Sequence, residues 1–280
     1  MITLNAPAKI NLTLEVLGVR PDGYHEIRSV FQTVDLYDTL RFGDSQDFSI
    51  ACDMPGWSAE QSLVSKALRL MQDFTPAAKA KISIEKRIPL SSGLGGDSSD
   101  AAATLKGFNR LWKLNLTPDN LLALAARLGS DVPFFISGGA ALAEGRGEIL
   151  TPLPSMRKMW VVLFFPDIPI SPGKTAKMYA GLKPSHFTDG SITQKLAEAV
   201  KKGRQFEPSL LFNTFENVAG DVFPGLSGYK EHLIKLGADH VHLAGSGPAL
   251  FTIVAEKARA QDIYARCKDQ GMRVSLAATV

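Results

Sequence analysis

The chain has few cysteines and no long apolar run, and each shortage excludes a class of protein. Cys52 and Cys267 are the only cysteines in 280 residues, and they fit neither a disulfide framework nor the ligand spacing of a structural zinc site. The sequence contains no run of about 18 apolar residues, and its opening M-I-T-L-N-A-P-A-K lacks the apolar core of a secretion signal. We therefore expect a cytoplasmic protein with two reduced thiols and no membrane contact.

An excess of charge of one sign is also missing. The chain carries 31 basic and 28 acidic residues, a net charge of +3, and it has no long basic run beyond K-K-G-R at 201–204. A nucleic-acid surface needs a concentrated basic patch, so nucleic acid is not an expected partner. The content of 45% hydrophobic and 21% charged residues is typical of a soluble enzyme. We expect a monomer or a homodimer that acts on a small molecule.

The hydrophobic pattern predicts an α+β fold with two domains. There is no internal repeat and no regular alternation of strand and helix, which argues against a doubly wound parallel sheet. The expected strands cover 81–88, 161–165, 240–244 and 250–254, and the expected helices cover 98–112, 117–129, 191–202 and 256–270. Two prolines interrupt the pattern at 151–158, so we place the boundary there, between domains 1–155 and 156–280.

A glycine-rich loop is the most informative segment of the chain. It reads P-L-S-S-G-L-G-G-D-S-S-D at 89–100 and joins an expected strand to an expected helix. Glycine permits positive φ and a close approach of backbone to ligand. We expect Ser98 and Ser99 to cap the helix, so that its unpaired N–H groups and positive dipole end face the loop. This junction predicts a phosphate site; the alternative is a structural turn that requires glycine.

Three familiar nucleotide-binding patterns do not fit this loop. The Walker A motif is excluded because no lysine followed by serine or threonine ends the loop. The dinucleotide fingerprint fails at Ser98, which stands where the third glycine belongs. The protein-kinase order fails because the chain contains neither H-R-D nor D-F-G. The loop therefore belongs to another class of phosphate site.

Polar and apolar residues alternate along the first expected strand. The apolar set is Ile10, Leu12, Leu14 and Val16, and the polar set is Lys9, Asn11, Thr13 and Glu15. Alternation makes Lys9 and Asn11 neighbours on one strand face. Asp131, in L-G-S-D-V-P-F-F at 128–135, is a candidate partner for Lys9. The alternatives are a solvated lysine and an aspartate that caps a helix or forms a turn, and sequence spacing does not decide between them.

Two further segments carry candidate binding residues. Tyr24 and His25 are adjacent in the turn-rich segment 18–27 and would suit a planar heterocycle; a surface loop with a half-buried tyrosine explains them about as well. Gly245, Ser246 and Gly247 lie between two expected strands. They form either a second glycine loop that contributes to one ligand site or a plain hairpin turn.

Taken in order along the chain, these segments resemble the GHMP kinases, the superfamily that includes galactose, homoserine, mevalonate and phosphomevalonate kinases. The phosphate loop of that family follows P-x-x-x-G-L-G-S-S, which the chain matches with two residues inserted before Ser98. Other matching segments are A-P-A-K-I-N-L-T-L, R-P-D-G-Y-H-E-I, A-E-G-R-G-E at 143–148 and A-G-S-G-P. The resemblance covers essentially the whole chain. It implies an N-terminal ATP-binding domain, a C-terminal GHMP kinase domain and an active site in the cleft between them.

The resemblance also implies a reaction. The loop would bind ATP with Mg²⁺, and the γ-phosphoryl would pass to the tertiary 2-hydroxyl of a methylerythritol unit joined to cytidine diphosphate, in non-mevalonate isoprenoid biosynthesis. Asp131 would act as base, and Lys9 would orient it and offset developing charge. The implied nucleotide contacts are Pro89, Gly93, Leu94, Gly95, Gly96, Asp97, Ser98, Ser99 and Lys86.

The acceptor contacts that the resemblance implies are Asn11, Tyr24, His25, Thr175, Tyr179, Gly245, Ser246 and Gly247. In this arrangement Tyr24 and Tyr179 would stack on the cytosine. His25 would read the polar edge of that ring, and Thr175 would face the diphosphate. No residue is assigned as a metal ligand.

Two positions depart from the family pattern, and two rival functions remain. Asp97 stands where relatives commonly have a small residue, so its charge must point away from the triphosphate or toward Mg²⁺. Ser62 stands where relatives often carry asparagine near the adenine. One rival is a GHMP kinase for a sugar or mevalonate-type acceptor, which has no use for Tyr24 beside His25. The other is a nucleotide-binding protein without turnover.

Overall fold

The computed structural model describes residues 1–76, 78–204 and 206–280. The strands are β1 (Ile2–Val19), β2 (His25–Asp44), β3 (Ser49–Cys52), β4 (Ala80–Glu85), β5 (Ala140–Gly145), β6 (Ile149–Leu153), β7 (Trp160–Phe164), β8 (Phe212–Asn213), β9 (His242–Leu243), β10 (Leu250–Val254) and β11 (Val274–Ala278). The helices are α1 (Leu63–Gln72), α2 (Gly96–Leu111), α3 (Pro118–Ala126), α4 (Val132–Ser137), α5 (Lys174–Gly181), α6 (Ser191–Lys201), α7 (Ala219–Val222), α8 (Leu226–Lys235) and α9 (Lys257–Asp269). The predicted α+β class is confirmed.

The chain divides into two compact units, and neither is a continuous stretch of sequence. The first contains Met1–Ala8, Leu36–Leu90 and Gly95–Gly138; the second contains Lys9–Asp35, Ser91–Leu94 and Gly139–Val280. The long strands β1 and β2 therefore contribute residues to both units, and so does the glycine loop. The domains 1–155 and 156–280 expected from the sequence follow chain order and stay a prediction.

In the first unit, the helix after the glycine loop packs closely on the sheet. The second half of β2 pairs antiparallel with β4, and β4 pairs parallel with β3. Helix α2 packs against α1, α3 and α4. Gly107 of α2 faces Phe42 of β2, and an added Cβ would lie 2.5 Å from the Phe42 ring, so only glycine permits this approach. Phe108 continues the contact edge-on to Phe42 and stacks on Trp112.

The second unit contains two groups of strands around one core. In the first group, β2 pairs antiparallel with β5, β5 pairs with β6, and β1 pairs parallel with β8. The second group is an antiparallel sheet in the order β11-β7-β10-β9, with α9 packed against it. Val16, Phe164, Phe215, Leu243 and Ile263 belong to a single buried cluster. This core holds β1 and the connection between β9 and β10 in fixed positions.

The expected elements are present with shifted ends. The strand expected at 81–88 ends at Glu85, and the strand expected at 240–244 is reduced to His242–Leu243. Helix α2 begins at Gly96, and its N-cap is Gly95, with a φ of 73°. The prediction that Ser98 and Ser99 cap the helix is therefore wrong. Both lie in the first turn, because a glycine in the left-handed region lets the chain enter the helix earlier.

The helices of the structure are short. α2 has 16 residues, and no helix in the described ranges is both long and apolar enough to cross a membrane.

The start expected for α3 is confirmed, since Thr117 and Asn120 form the reciprocal hydrogen bonds of a capping box. The helix ends at Ala126, three residues before the end expected at 129.

Candidate active site

The polar face of β1 is buried and hydrogen bonded. Lys9 Nζ donates to Asn11 Oδ1 over 2.8 Å, and Asn11 Nδ2 donates to Ser29 Oγ over 2.8 Å. Ser29 Oγ in turn donates to the Thr13 carbonyl. Lys9 is only 4% exposed, and its ammonium lies 4.3 Å from the centre of the Phe31 ring. The predicted neighbourhood of Lys9 and Asn11 is confirmed, and Lys9 is not a solvated lysine.

Two glycine-rich segments meet backbone to backbone in the second unit. Gly93 has a φ of 93°, and a Cβ added there would lie 2.1 Å from the Ala244 carbonyl oxygen and 2.9 Å from the Gly247 nitrogen. The segment 244–249 connects the antiparallel strands β9 and β10. It is therefore a hairpin connection, as one interpretation predicted, and it also packs against the first half of the glycine loop.

The Lys9–Asn11 pair lies beside these glycines. Lys9 N–H donates to the Leu94 carbonyl over 2.9 Å. A Cβ added at Gly245 would lie 2.8 Å from the Gly93 carbonyl oxygen and 3.4 Å from Asn11 Oδ1. The ammonium and amide of β1, residues 91–94 and residues 244–247 are thus adjacent parts of one polar region.

The second half of the glycine loop forms the start of α2, in the first unit. Gly95 provides no side chain to cap the helix, so the N–H groups of the first turn are open to other partners. The Ser99 hydroxyl is buried and makes no hydrogen bond within the described residues. An oxygen-rich anion at this end of α2 would satisfy both kinds of group.

Asp97 is directed at the start of another helix. Its two carboxylate oxygens accept from Leu63 N–H at 3.1 and 3.3 Å, and Leu63 is the first residue of α1. Burial raises the pKa of the Asp97 carboxyl. Ser62 is the N-cap of α1 and accepts from Ser65 N–H. These two positions, which depart from the family pattern, therefore meet at the N-terminus of α1.

Lys86 lies in a buried ion cluster with two aspartates. Its Nζ is 2.5 Å from Asp38 Oδ2 and 2.7 Å from Asp100 Oδ2, and all three side chains are at most 1% exposed. Burial, assisted by the Asp38 charge, raises the pKa of Asp100 to about 8. Burial lowers the pKa of Lys86, but the charges of Asp100 and Asp38 outweigh burial, so the pKa is raised. This geometry favours a structural role for Lys86 over the nucleotide contact implied by the resemblance.

Asp131 occupies the N-cap position of α4 but does not cap the helix. Its backbone has helical angles, φ −84° and ψ −18°, and its side chain makes no capping hydrogen bond. The capping alternative is therefore wrong, whereas the turn alternative agrees with the structure, because Asp131 lies in the turn that precedes α4. Asp131 belongs to the first unit and Lys9 to the second, and their pairing stays a prediction.

His25 and Tyr179 form a stacked pair in the second unit. Their ring centres are 4.6 Å apart at an interplanar angle of 26°, and Phe215 supports Tyr179 edge-on at 4.8 Å. Burial lowers the pKa of His25 and so favours the neutral imidazole, which has one donor and one acceptor nitrogen. The structure thus brings together two of the three predicted base-binding residues.

Tyr24 is the third of these residues, and it is exposed. The residue is 58% exposed, and the Arg146 guanidinium carbon lies 4.8 Å from its ring centre. Arg146 was not among the predicted site residues. The signal for it was present, because the residue lies within A-E-G-R-G-E at 143–148.

Thr175 and Ser246 are joined by their hydroxyl groups, at an Oγ1–Oγ distance of 2.8 Å. Lys174, the first residue of α5, donates to Ser246 Oγ over 2.8 Å and to its carbonyl over 3.4 Å. Burial lowers the pKa of Lys174 to about 8, and the positive charge of Lys9 contributes to the shift. The sequence pattern did not indicate Lys174, because its partner is 72 residues away.

Two segments of the chain match family models of one superfamily. Residues 62–139 match the GHMP kinases N terminal domain, and residues 195–271 match the GHMP kinases C terminal model. The first segment contains α1, α2 and Asp131, and the second contains the hairpin with Gly245 and Ser246. The chain belongs to the GHMP kinases, and it is an ATP-dependent small-molecule kinase.

Relatives define the branch of the superfamily. The chain is 47% identical over 281 residues to the 4-diphosphocytidyl-2-C-methyl-D-erythritol kinase of Dehalococcoides mccartyi, covering 100% of this chain and 99% of that one. It is 40% identical to the enzyme of the same name from Shouchella clausii, covering 94% and 89%. The solved structure of a 4-(cytidine 5'-diphospho)-2C-methyl-D-erythritol kinase matches with a TM-score of 0.84, 31% identity and 99% coverage of both chains. Within the GHMP kinases, the chain is therefore a member of this kinase family.

Proposed function

We propose that the protein transfers the γ-phosphoryl of ATP to the 2-hydroxyl of 4-diphosphocytidyl-2-C-methyl-D-erythritol. The observation that carries this proposal is the His25–Tyr179 stack, which offers a π-face and a neutral imidazole edge. A pyrimidine needs both stacking and hydrogen bonds at its polar edge. The full-length similarity to kinases named for this acceptor supports the same conclusion.

The donor nucleotide would bind at residues 89–99. The start of α2 offers N–H groups without a side-chain cap, and a helix N-terminus favours phosphate. Gly93 and Gly95, with φ of 93° and 73°, shape the backbone there. Asp97 would stay out of the triphosphate contact, because its carboxylate is engaged at α1.

Mg²⁺ would accompany the nucleotide. The described residues contain no group of three His, Cys, Asp or Glu side chains placed to hold a metal. Mg²⁺ in kinases is held mostly by phosphate oxygens, water and one or two protein oxygens, and the buried Ser99 hydroxyl without a partner is a fitting one. When bound, the ion would neutralise charge on the transferred phosphoryl group.

Asp131 would accept the proton of the reacting hydroxyl, and Lys9 would hold Asp131 ionised and in position. Phosphoryl transfer requires positioning, charge neutralisation and a group that takes the hydroxyl proton. The Lys9 ammonium is held by Asn11, and the Asp131 side chain is not used as a helix cap. These two observations support the assigned roles.

The acceptor would extend from the aromatic pair to the polar region around Lys9. Tyr24 would cover the cytosine together with Tyr179, and His25 would bond to its polar edge. Thr175, Ser246 and the backbone of Gly245 and Gly247 would face the diphosphate. The hydroxyl contact between Thr175 and Ser246 supports this, since a phosphate accepts hydrogen bonds from several donors at once.

The test is ADP production with a panel of acceptors. We expect turnover with 4-diphosphocytidyl-2-C-methyl-D-erythritol and none with methylerythritol phosphate, galactose or mevalonate. Turnover with one of the other acceptors would keep the assignment as a kinase but exclude the proposed cytosine site. ATP binding without turnover on any acceptor would select the binding-only alternative.

A further inference from the structure

Lys174 has a buried ammonium group to which the proposed function gives no role. The residue is 9% exposed. Its two hydrogen-bond acceptors both belong to Ser246, and no ion pair to a carboxylate is formed by Lys174 within the described ranges of the chain. A buried charge without a counter-ion is costly. An anionic ligand would remove that cost.

The groups around Lys174 are donors as well. Lys174 donates to the Ser246 hydroxyl, and the Ser246 and Thr175 hydroxyls share a hydrogen bond in which either can be the donor. In either direction one of the two hydroxyl hydrogens is left for another acceptor, and Thr175 is exposed. Lys9 adds a second ammonium, near enough to lower the pKa of Lys174. The cluster therefore offers positive charge and hydroxyl donors to one acceptor-rich group.

The position of this cluster on α5 relates it to the aromatic pair. Thr175 and Tyr179 are four residues apart on α5 and lie on the same helix face. Four residues correspond to about 6 Å along a helix axis. Tyr179 stacks on His25, so α5 carries a ring-binding group and a phosphate-binding group one turn apart. A nucleoside diphosphate has its base and its phosphates at opposite ends of one sugar, which suits this spacing.

We propose that Lys174, together with the Ser246 and Thr175 hydroxyls, binds a phosphate of the nucleoside diphosphate end of the acceptor. The proposal rests on the cytidyl acceptor proposed above. It adds a substrate-binding residue that lies outside the glycine loop and outside the Lys9–Asp131 pair.

The experiment compares the binding of cytidine, cytidine diphosphate and inorganic pyrophosphate by titration calorimetry. In the wild-type protein, cytidine diphosphate should bind more tightly than cytidine. Lys174→Gln should weaken cytidine diphosphate about 10- to 100-fold, the scale of a lost charged hydrogen bond. It should leave cytidine unchanged, raise the KM for the acceptor and leave the KM for ATP unchanged. Lys174→Arg, which keeps the charge, should restore most of the lost affinity.

Lys177→Gln is the matched control. Lys177 lies on the same helix, is exposed and donates to Ser171 Oγ over 3.0 Å, so its loss should change none of these affinities. Equal weakening of cytidine and cytidine diphosphate by Lys174→Gln would overturn the proposal in favour of a structural role. A loss of ATP affinity with cytidine diphosphate unaffected would overturn it as well, since the phosphate would then belong to the donor.

The same titrations separate this proposal from the proposed function. If wild-type protein binds neither cytidine nor its diphosphate, the cytidyl acceptor is wrong. Binding of pyrophosphate that depends on Lys174 would then still support a phosphate site at this residue. If pyrophosphate binding is also absent or independent of Lys174, the phosphate site is overturned.

Discussion

Lys9 keeps its ammonium group buried because Asn11 and Phe31 take the place of water around it. The amide oxygen accepts one of its hydrogens, and the aromatic ring provides an electron-rich face. Asn11 is held by Ser29 of the neighbouring strand. The ammonium therefore has one orientation, which is the condition for a charge that acts on a reacting group.

Asp131→Asn should abolish most turnover. The amide keeps the shape of the side chain but cannot take the hydroxyl proton, so kcat should fall ~10²–10⁴-fold with ATP binding retained. Lys9→Ala should give a loss of similar size. Both are measured by steady-state kinetics and by direct ATP titration.

Asp119→Asn is the control for this substitution. Asp119 is an exposed aspartate in the first turn of α3, so it matches Asp131 in type and in position at a helix start. Wild-type turnover is expected. Wild-type rates in Asp131→Asn as well would remove Asp131 from the reaction.

Tyr24→Ala should weaken binding of the cytidyl acceptor. An aromatic ring stacked on a base contributes about 1–3 kcal/mol, and Tyr24 is exposed and so available to a ligand. Tyr24→Phe keeps the ring and should bind normally. Titration with cytidine diphosphate measures the difference, and equal affinities in all three proteins would exclude Tyr24 from the site.

At the scale of single residues, the sequence predicted which side chains are neighbours along a strand but not which of them are buried. The period of two placed Lys9 beside Asn11 from local sequence alone. Burial of that face depends on Ser29 and Phe31, which β2 supplies. The surroundings of Lys174 were even less predictable, because its only described acceptors lie 72 residues away in the sequence. Residues that contact each other across a long stretch of sequence produce no periodic pattern in that sequence.

Among the elements, the glycine loop depends on backbone contact. Gly93→Ala should distort the loop, because the added Cβ would lie 2.1 Å from the Ala244 carbonyl oxygen. We expect a loss of stability about 1–3 kcal/mol beyond that of a control alanine, and a higher KM for ATP. Chemical denaturation and steady-state kinetics measure the two effects.

Gly271→Ala is the control for the backbone strain alone. Gly271 has a φ of 71°, and an added Cβ would meet no atom within 4 Å. The free energy of unfolding of Gly271→Ala should fall only by the ~1–2 kcal/mol that a residue with a Cβ costs in the left-handed region. If both variants lose the same stability, close approach at Gly93 has no energetic role.

The start of α2 is the element that sequence reasoning misplaced. Serine is a strong N-cap signal, which pointed to Ser98 and Ser99, yet the chain enters the helix at Gly96. The carboxylate of Asp97 then binds the first N–H of α1. A side chain within one helix thus completes the N-terminus of another, and no local capping rule covers that arrangement.

For the molecule as a whole, the buried cluster of Lys86, Asp38 and Asp100 predicts a pH dependence of stability. Burial raises the pKa of Asp100 from 3.8 to about 8. Between these values the folded chain holds a proton that the unfolded chain has released. The free energy of unfolding should therefore fall as pH rises from about 4 to about 8.

Asp100→Asn tests this dependence. The amide cannot titrate, so the decline of stability across that pH range should be smaller than in the wild-type protein, whatever the variant's absolute stability. Urea unfolding at several pH values measures it, with Asp119→Asn expected to keep the wild-type profile. Identical profiles for wild type and Asp100→Asn would contradict the raised pKa.

The class of the whole fold was predictable, and the composition of its units was not. Mixed helices and strands without alternation predicted α+β, and the structure agrees. Chain order predicted a single boundary at 155–156. That boundary stays a prediction. The compact units follow contacts rather than chain order, and they place 9–35 and 91–94 with 139–280, because β1 and β2 each continue from one unit into the other. The hydrophobic periodicity of a strand does not show at which residue the strand passes from one unit to the other.

The contact between Gly93 and Ala244 has a consequence for how the protein is made. A nascent chain reaches position 93 long before position 244 has been synthesised, so the loop segment 91–94 lacks the backbone against which it packs. Contacts so distant in sequence form late. The glycine loop can take its final shape only after the β9–β10 hairpin has left the ribosome. If the loop holds the nucleotide as proposed, shorter nascent chains are expected not to bind ATP.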